Sequence, residues 1–563
     1  MKDYLKISKA PELTGRERRL YRFLEILPGA LSWLTIIALI IFSYYKPVGT
    51  AIFVIMFDVY WLLLVAFLGT HLLISYRFMK KRMAVNWQEK CESLGMVSLR
   101  LETVIDGNDI NNGSDSNNDN KELDTMEEKT VEGETGEIKE KDKARIINLS
   151  WRDVVHVVIL PTYQESLDVL RSSFNGLVNS GYQTDKLIVV LAAEARAGEE
   201  GRLIRETIGK EYGHLFRRFL ITIHPDDIIG ELKGKGANQA WAAKKLKEEI
   251  IDGEEIDYAS IMVSVLDSDT VVFPGYFYCL THAFLTSKKP YRSSYQPIPV
   301  YHNNMWQAPF FARVAAFSNT FWQMMQQLRP EKSATYSSHA MTWQSLIDID
   351  FWSTNMVSED SRIFWHCFCY YQGDYRVEPL YFPVSMDMCM DKNQWQSAKN
   401  LYRQQRRWGW GVENIPYLVF NTIKQWPSLT RKSRGNYLRH IGVQIYGFHS
   451  WATNALITSI IGWLPLILGG SAFNATVLSS NLPMVTKFLM TLAMVGMVLS
   501  AIVSLLMLPT INKKGFMKYV TSVLQWICLP IVIIVFGSIP GLEAQTRLML
   551  GKYMGFWVTP KHR

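Results

Sequence analysis

The chain has 563 residues, 48% of them hydrophobic and 20% charged, with 18 Trp, 26 Tyr and 27 Phe. This balance excludes a disordered, collagen-like or disulfide-rich secreted class and points to membrane spans joined to a water-facing domain. The net charge of +8 hides an acidic island: residues 106–143 carry 13 acidic and 5 basic side chains, a net −8 that leaves +16 elsewhere, an excess suited to an anionic membrane surface or phosphate-bearing substrates.

Residues 1–26 read as a cytoplasmic segment and residues 27–76 as two membrane helices, Leu31–Tyr45 and Ala51–Ser75. Arg16, Arg18, Arg19 and Arg22 precede the first and Arg77, Lys80, Lys81 and Arg82 follow the second, so both flanks are expected on the cytoplasmic side, with a short outer turn at Pro47. Asp58 and His71 lie inside the second span; either they serve a function or they face the bundle interior and the headgroups. Residues 77–145 read as a cytoplasmic linker whose stretch 105–145 is disordered, because it lacks the apolar residues needed for a core.

Residues 146–400 look globular. Val154–Leu160, Lys186–Leu191 and Ser260–Leu266 are apolar runs of strand length, separated by helical stretches such as Leu167–Ser180 and Lys233–Ile250. That alternation predicts an α/β domain with a mostly parallel sheet, whose ligands bind beyond the carboxyl ends of the strands. Residues 401–436 read as interface helices, 437–540 as a C-terminal membrane region with spans at Ile441–Gly470, Val485–Leu508 and Val520–Ile539, and 541–563 as a terminal segment. Cys91, Cys279, Cys367, Cys369, Cys389 and Cys528 form no Cys-x-x-Cys pair and read as free thiols without a zinc site.

The three strand ends carry the chemistry. Thr162, Tyr163 and Glu165 follow the first, Glu194 the second, and Asp267-Ser268-Asp269 the third. Two carboxylates at i and i+2 can grip a hard divalent cation that neutralises a diphosphate; the alternative for Asp269 is a cap for backbone N–H groups. Lys233-Gly-Lys235-Gly opens a helix, where close backbone approach and the Lys235 charge suit phosphate. Glu359 and Asp360 follow an aromatic stretch and supply a general base or, alternatively, an N-terminal cap. Gln404, Arg407 and Trp408 combine an amide, a guanidinium and a ring that can stack on a sugar; the alternative is a helix lying at the membrane interface.

Asp-x-Asp, Glu-Asp and Gln-x-x-Arg-Trp, in this order and flanked by membrane spans, resemble the membrane-embedded family 2 glycosyltransferases, among them the cellulose, hyaluronan and poly-N-acetylglucosamine synthases. The resemblance covers residues from Val154 to about Trp410. It implies a Rossmann-like GT-A domain between transmembrane helices, a nucleotide-diphosphate sugar donor (a UDP-sugar above others), Mg²⁺ or Mn²⁺, and inversion at the anomeric carbon. By the same resemblance Thr162, Tyr163, Glu165, Glu194 and Lys235 contact the nucleotide sugar, Asp267 and Asp269 bind diphosphate and metal, Asp360 is the base with Glu359 beside it, and Gln404, Arg407 and Trp408 close over diphosphate and acceptor. Phe556, Val558, Thr559 and Lys561 resemble the gating-loop motif of cellulose synthases.

The chain departs from the family pattern at three places. Ala-Ala-Glu194 replaces the usual Asp-Asp-Gly-Ser, Ser337-Ser338-His339 replaces a Gly-rich segment, and no cyclic-dinucleotide-binding domain follows the last span. Topology poses a conflict as well: three spans after a cytoplasmic domain leave the C-terminus outside, whereas a nucleotide-contacting Thr559 and Lys561 require it inside. Either Ile441–Gly470 is not one simple span, or Val520–Ile539 is re-entrant, or the terminal motif is coincidental; an inside C-terminus is the expectation. The resulting reading is a multi-pass plasma-membrane enzyme with a cytoplasmic catalytic domain that polymerises a β-linked glycan and moves it across the membrane, its partners being the donor, the growing glycan and the bilayer, with no nucleic acid. The alternatives are a non-processive enzyme adding one sugar to a lipid or short acceptor, and a non-catalytic scaffold or export subunit.

Overall fold

The computed structural model describes residues 3–102, 144–508 and 516–560. Most of the acidic segment 105–145, and Lys513, Lys514 and Lys561, lie outside the described residues. Two sheets are present among the described residues. A hairpin pairs β1 (Met96–Glu102) with β2 (Ala144–Ser150) in antiparallel register, Glu102 facing Ala144, so a strand already begins at the end of the acidic stretch. The main sheet holds β3 (Val155–Thr162), β4 (Leu187–Glu194), β5 (Arg218–His224), β6 (Ile261–Val265), β7 (Val271–Val272), β8 (Ser293–Val300), β9 (His339–Thr342) and β10 (Arg376–Ser385) in the order β5-β4-β3-β6-β9-β8-β10-β7.

The parallel half, β5-β4-β3-β6, follows from the apolar runs. Every residue of β3, β4 and β6 is buried, because helices cover both faces, and only a continuously apolar strand tolerates that position. β9 runs antiparallel between β6 and β8, which makes the sheet mixed as well as mostly parallel. The predicted strands and helices are present with shifted ends: β4 runs on through Glu194, and the helix expected from Lys233 begins at Lys235 and widens into a π turn after Leu246.

Four helices among the described residues are long and apolar enough to cross a membrane: Gly15–Tyr45, Pro47–Met83, Val477–Leu506 and Met517–Met549. The expected span at Ile441–Gly470 is instead a helix Arg431–Ser459 that breaks at Ile460 and turns by 43° into Ile461–Leu468. Its far end reaches the turn of the first hairpin, where Gly469 packs on Pro47. Asp58 is buried, and the His71 ring bonds the Phe67 carbonyl of its own helix at 2.8 Å.

The last apolar segment packs against the α/β domain at several points. Trp526 stacks on Phe321 and donates to Ser504 near the domain-facing end of Val477–Leu506. Phe536 stacks on Phe311, and the chain closes where Arg22 donates to the carbonyls of Leu548 and Met549. Pro530, Pro540 and a π turn at Ile534–Ser538 bend it on the way. Both ends therefore lie on the side of the α/β domain, and the terminal residues 550–560 return to it.

Candidate active site

At the carboxyl ends of β3, β4 and β6 the chain leaves the sheet with acids in place. Glu165 turns back to accept hydrogen bonds from the Thr162 hydroxyl at 2.8 Å and the Tyr163 amide at 2.7 Å, which fixes the loop after β3. Glu194 is buried and held by the guanidinium of Arg196, which also lies 4.0 Å over the Tyr163 ring. The Glu194 carboxylate is thus matched within the protein, and Arg196, which carries no motif-like spacing in sequence, joins the rim.

The centre of the site is Lys235. Its Nζ lies 2.6 Å from Asp267 Oδ1 and 2.7 and 3.0 Å from the two oxygens of Asp360, so residues far apart in the chain meet on one ammonium. Burial pulls this lysine down, but Asp267, Asp360 and Glu359 outweigh it and hold it above its ordinary value. Two glycines make the approach possible. A Cβ on Gly236 would sit 2.9 Å from the Ser353 carbonyl and 3.1 Å from Glu359 Cβ, and one on Gly234 would strike the Phe556 ring at 2.6 Å.

Glu359 and Asp360 open the helix Glu359–Tyr370, whose cap residue Ser358 makes no side-chain capping bond. The Asp360 carboxylate turns away to Lys235 instead of capping the helix. Glu359 is 2% exposed, its Oε1 has no hydrogen-bond partner among the described residues, and burial followed by repulsion from Asp360 raises it to about 8, against the pull of Lys235 and Arg407. The other Asp-x-Asp does not compete: Asp348 accepts from Tyr371 and Gln344, and Asp350 is an exposed partner of Lys6 and Lys244.

Asp269 is buried, and its Oδ2 accepts the Asp387 amide at 3.0 Å, so the backbone-accepting alternative holds for one of its oxygens, though not at a helix start. Asp267 stays partly exposed and its Oδ2 accepts from Ser337. No group of three or more His, Cys, Asp or Glu able to hold a metal occurs among the described residues. Two oxygen-donating carboxylates still fit Mg²⁺ or Mn²⁺, which commonly take one or two carboxylates and complete their shell with phosphate and water. His339, on the same wall, is fully buried with its Nε2 unpartnered among the described residues; burial, helped by Lys235 and opposed by Asp360, lowers its pKa.

The helix Gln394–Gly409 carries Gln404, Arg407 and Trp408, all partly exposed. Its last turn is tied to the Asp360 loop by Glu413, which accepts from Trp410 Nε1 at 2.8 Å and from the Ser358 amide at 3.0 Å. Burial raises the Glu413 carboxyl despite the opposing Arg362 and Ser358. Arg407 lies 5.0 Å from the Phe556 ring, and Trp557 stacks under Arg403. Thr559 is buried with its hydroxyl unpartnered among the described residues, and Val558 is half-buried beside it. The structure therefore brings Lys235, Asp267, Glu359, Asp360, Arg407 and Phe556 together. Glu413 and Arg362, which hold this arrangement, carry no motif-like spacing that would have marked them in sequence.

No family model and no curated protein matches the chain. Among solved structures it is similar to the mannosyltransferase PcManGT from Pyrobaculum calidifontis in complex with GDP-Man and Mn²⁺, at 14% identity over 62% of this chain and 86% of that one, with a TM-score of 0.38. It is also similar to residues 1–349 of S. aureus TarS in complex with UDP-GlcNAc, at 10% identity over 62% of this chain and 90% of that one, with a TM-score of 0.28.

Proposed function

We propose that the chain is a membrane glycosyltransferase that inverts the anomeric centre of a nucleotide-diphosphate sugar and extends a β-linked glycan. The observation that carries this reading is the contact of one buried lysine with both the Asp-x-Asp carboxylate Asp267 and the base candidate Asp360. The acceptor hydroxyl oxygen attacks the anomeric carbon, the carbon–oxygen bond to the diphosphate breaks, the nucleoside diphosphate leaves, and Asp360 takes the hydroxyl proton. An incoming diphosphate offers Lys235 a new anionic partner and so loosens its hold on Asp360. Asp267 and Asp269 are the residues that would hold Mg²⁺ or Mn²⁺, which supplies positive charge to the diphosphate. Thr162, Tyr163, Glu165 and Arg196 shape the nucleoside end, with Glu194 acting through Arg196. Gln404, Arg407 and Trp408 close over the diphosphate and acceptor, and Phe556, Val558 and Thr559 cover the donor.

Extension by many sugars is supported by the position of Trp408, on a helix roofed by the bent apolar segment 517–549, where a product leaves next to the membrane helices. The test is to incubate purified membranes with a panel of nucleotide sugars and Mn²⁺, reading released nucleoside diphosphate and product length. Long polymer supports the reading, a single addition moves it to a non-processive enzyme, and no nucleoside diphosphate with any donor overturns it in favour of a scaffold.

A further inference from the structure

At the opposite end of the sheet, where β8 and β10 begin, a cavity of about 410 Å³ opens between the α/β domain and the helix Arg431–Ser459. Its wall holds Lys289, Arg292, Arg376, Lys432 and Arg439, against the acids Glu331, Asp374 and Glu378. Each acid already has a cation. Asp374 takes Lys289 at 2.7 Å and Arg292 at 3.3 Å, Glu378 takes Arg376 at 2.6 Å, and Glu331 takes Arg329 at 2.7 Å. Lys432 and Arg439 have no ion-pair partner among the described residues, and both are exposed. Their spacing puts them, with Asn436 and His440, on one face of the helix, directed at the cavity.

A second observation points to a ligand. His440 lines the cavity, is only 4% exposed, and its Nδ1 has no hydrogen-bond partner among the described residues; Arg376 Nε, on the facing strand, is likewise buried and unpartnered. Phe364 and Phe368 form the floor, with Phe368 edge-on to the His440 ring at 4.9 Å. Surplus cations around the buried, unmatched Arg376 N–H and His440 imidazole nitrogen suit an anion with several acceptor oxygens. The apolar run of the helix starts at Ile441, directly after these residues, so the cavity sits at the depth of phospholipid headgroups if that helix crosses the bilayer.

We infer that this cavity is a binding site for a phosphate ester, the headgroup of an anionic phospholipid. It is separate from the proposed transfer site and does not depend on that reading. The full chain in detergent is titrated with short-chain phosphatidylglycerol, with short-chain phosphatidylcholine and with inorganic phosphate, and its melting temperature is read. Phosphatidylglycerol raises the melting temperature saturably and phosphatidylcholine does not. In the Lys432→Gln, Arg439→Gln double variant, whose exposed sites leave the unliganded melting temperature unchanged, the apparent affinity falls roughly thirty-fold, since each basic residue near an anionic surface contributes about a factor of five. Arg439→Lys, which keeps the charge, retains most of the response. Inorganic phosphate acting as strongly as the lipid, with the same loss in the double variant, identifies free phosphate as the source and keeps the anion site. A double variant that responds as the native chain does, or no response to either anion, overturns it.

Discussion

The two ends of the same sheet follow opposite electrostatic plans. At the carboxyl ends of β3, β4 and β6 and around them stand Glu165, Glu194, Asp267, Asp269, Glu359 and Asp360, against Lys235, Arg196 and Arg407. At the amino ends of β8 and β10 the cations exceed the acids. The acidic end relieves its surplus by burying a lysine between two carboxylates and by keeping a proton on Glu359. The diphosphate of the proposed donor would be held there only if positive charge arrives with it. The basic end has no such internal solution and leaves two cations open. The two proposals, a donor with its cation at one end and an anion at the other, therefore rest on opposite charge imbalances.

The largest effect comes from withholding that positive charge. Chelator is expected to abolish nucleotide-sugar turnover, and Asp269→Asn to come close to it; full activity in excess chelator removes the metal from the reading. Next is the base. Asp360→Asn keeps the shape but cannot take a proton, so transfer should drop about 10²–10⁴-fold while nucleoside diphosphate affinity persists. If affinity and rate fall together, Asp360 serves only to hold Lys235, and the proton goes elsewhere.

Gly236→Ala tests the closeness of the glycine turn to the Asp360 loop. The added methyl meets the Ser353 carbonyl, which cannot move freely, so a loss of about 1–3 kcal/mol is expected, seen as a lower melting temperature together with weaker nucleotide binding. An unchanged melting temperature would show that the two loops are free to separate.

Glu359 gives a pH test of the acidic end. Its value in the folded chain, about 8, lies above the ordinary 4.5, so the folded state binds more protons than the unfolded state between these values. The stabilising contribution of the protonated carboxyl is complete below pH 4.5 and is lost as the pH rises toward 8. Glu359→Gln, which mimics the protonated form, should flatten the fall in melting temperature over that window. A native and variant profile of equal slope would place the proton on another group.

Much of this site was legible in sequence because β3, β4 and β6 are buried on both faces. A continuous apolar run that ends abruptly in Thr162, Glu194 or Asp267 marks both the strand and the rim residue. The joins were not legible. Lys235 meets Asp360 across 125 residues, and Ser358 meets Glu413 across 55, pairings that no local pattern encodes. A re-entrant path for Val520–Ile539 is, from sequence, one of two ways to bring the C-terminus back, beside a coincidental terminal motif. The segment's apolar composition is that of a span, and its path is set by stacking on Phe311 and Phe321, far away in the chain. The basic cavity escaped because its cations come from three separate stretches.

The smallest effect is expected at the acidic island, residues 106–143. Residues 106–143 leave and re-enter through an antiparallel pair, Glu102 opposite Ala144, so the two ends of any deletion already lie side by side. Replacing the segment by a short Gly/Ser turn therefore asks for no movement of β1 or β2. Each halving of such a loop lowers its closure cost by about 0.6 kcal/mol, so a tenfold shortening gives a gain of at most about 2 kcal/mol. The shortened protein should melt at the same or a slightly higher temperature, remain in the membrane fraction and turn over nucleotide sugar at the native rate. Loss of protein from the membrane would show that the island has a structural part in the fold. Loss of turnover with full stability would instead tie its negative charge to one of the two charged ends, and repeating the lipid titration on the shortened chain would tell which.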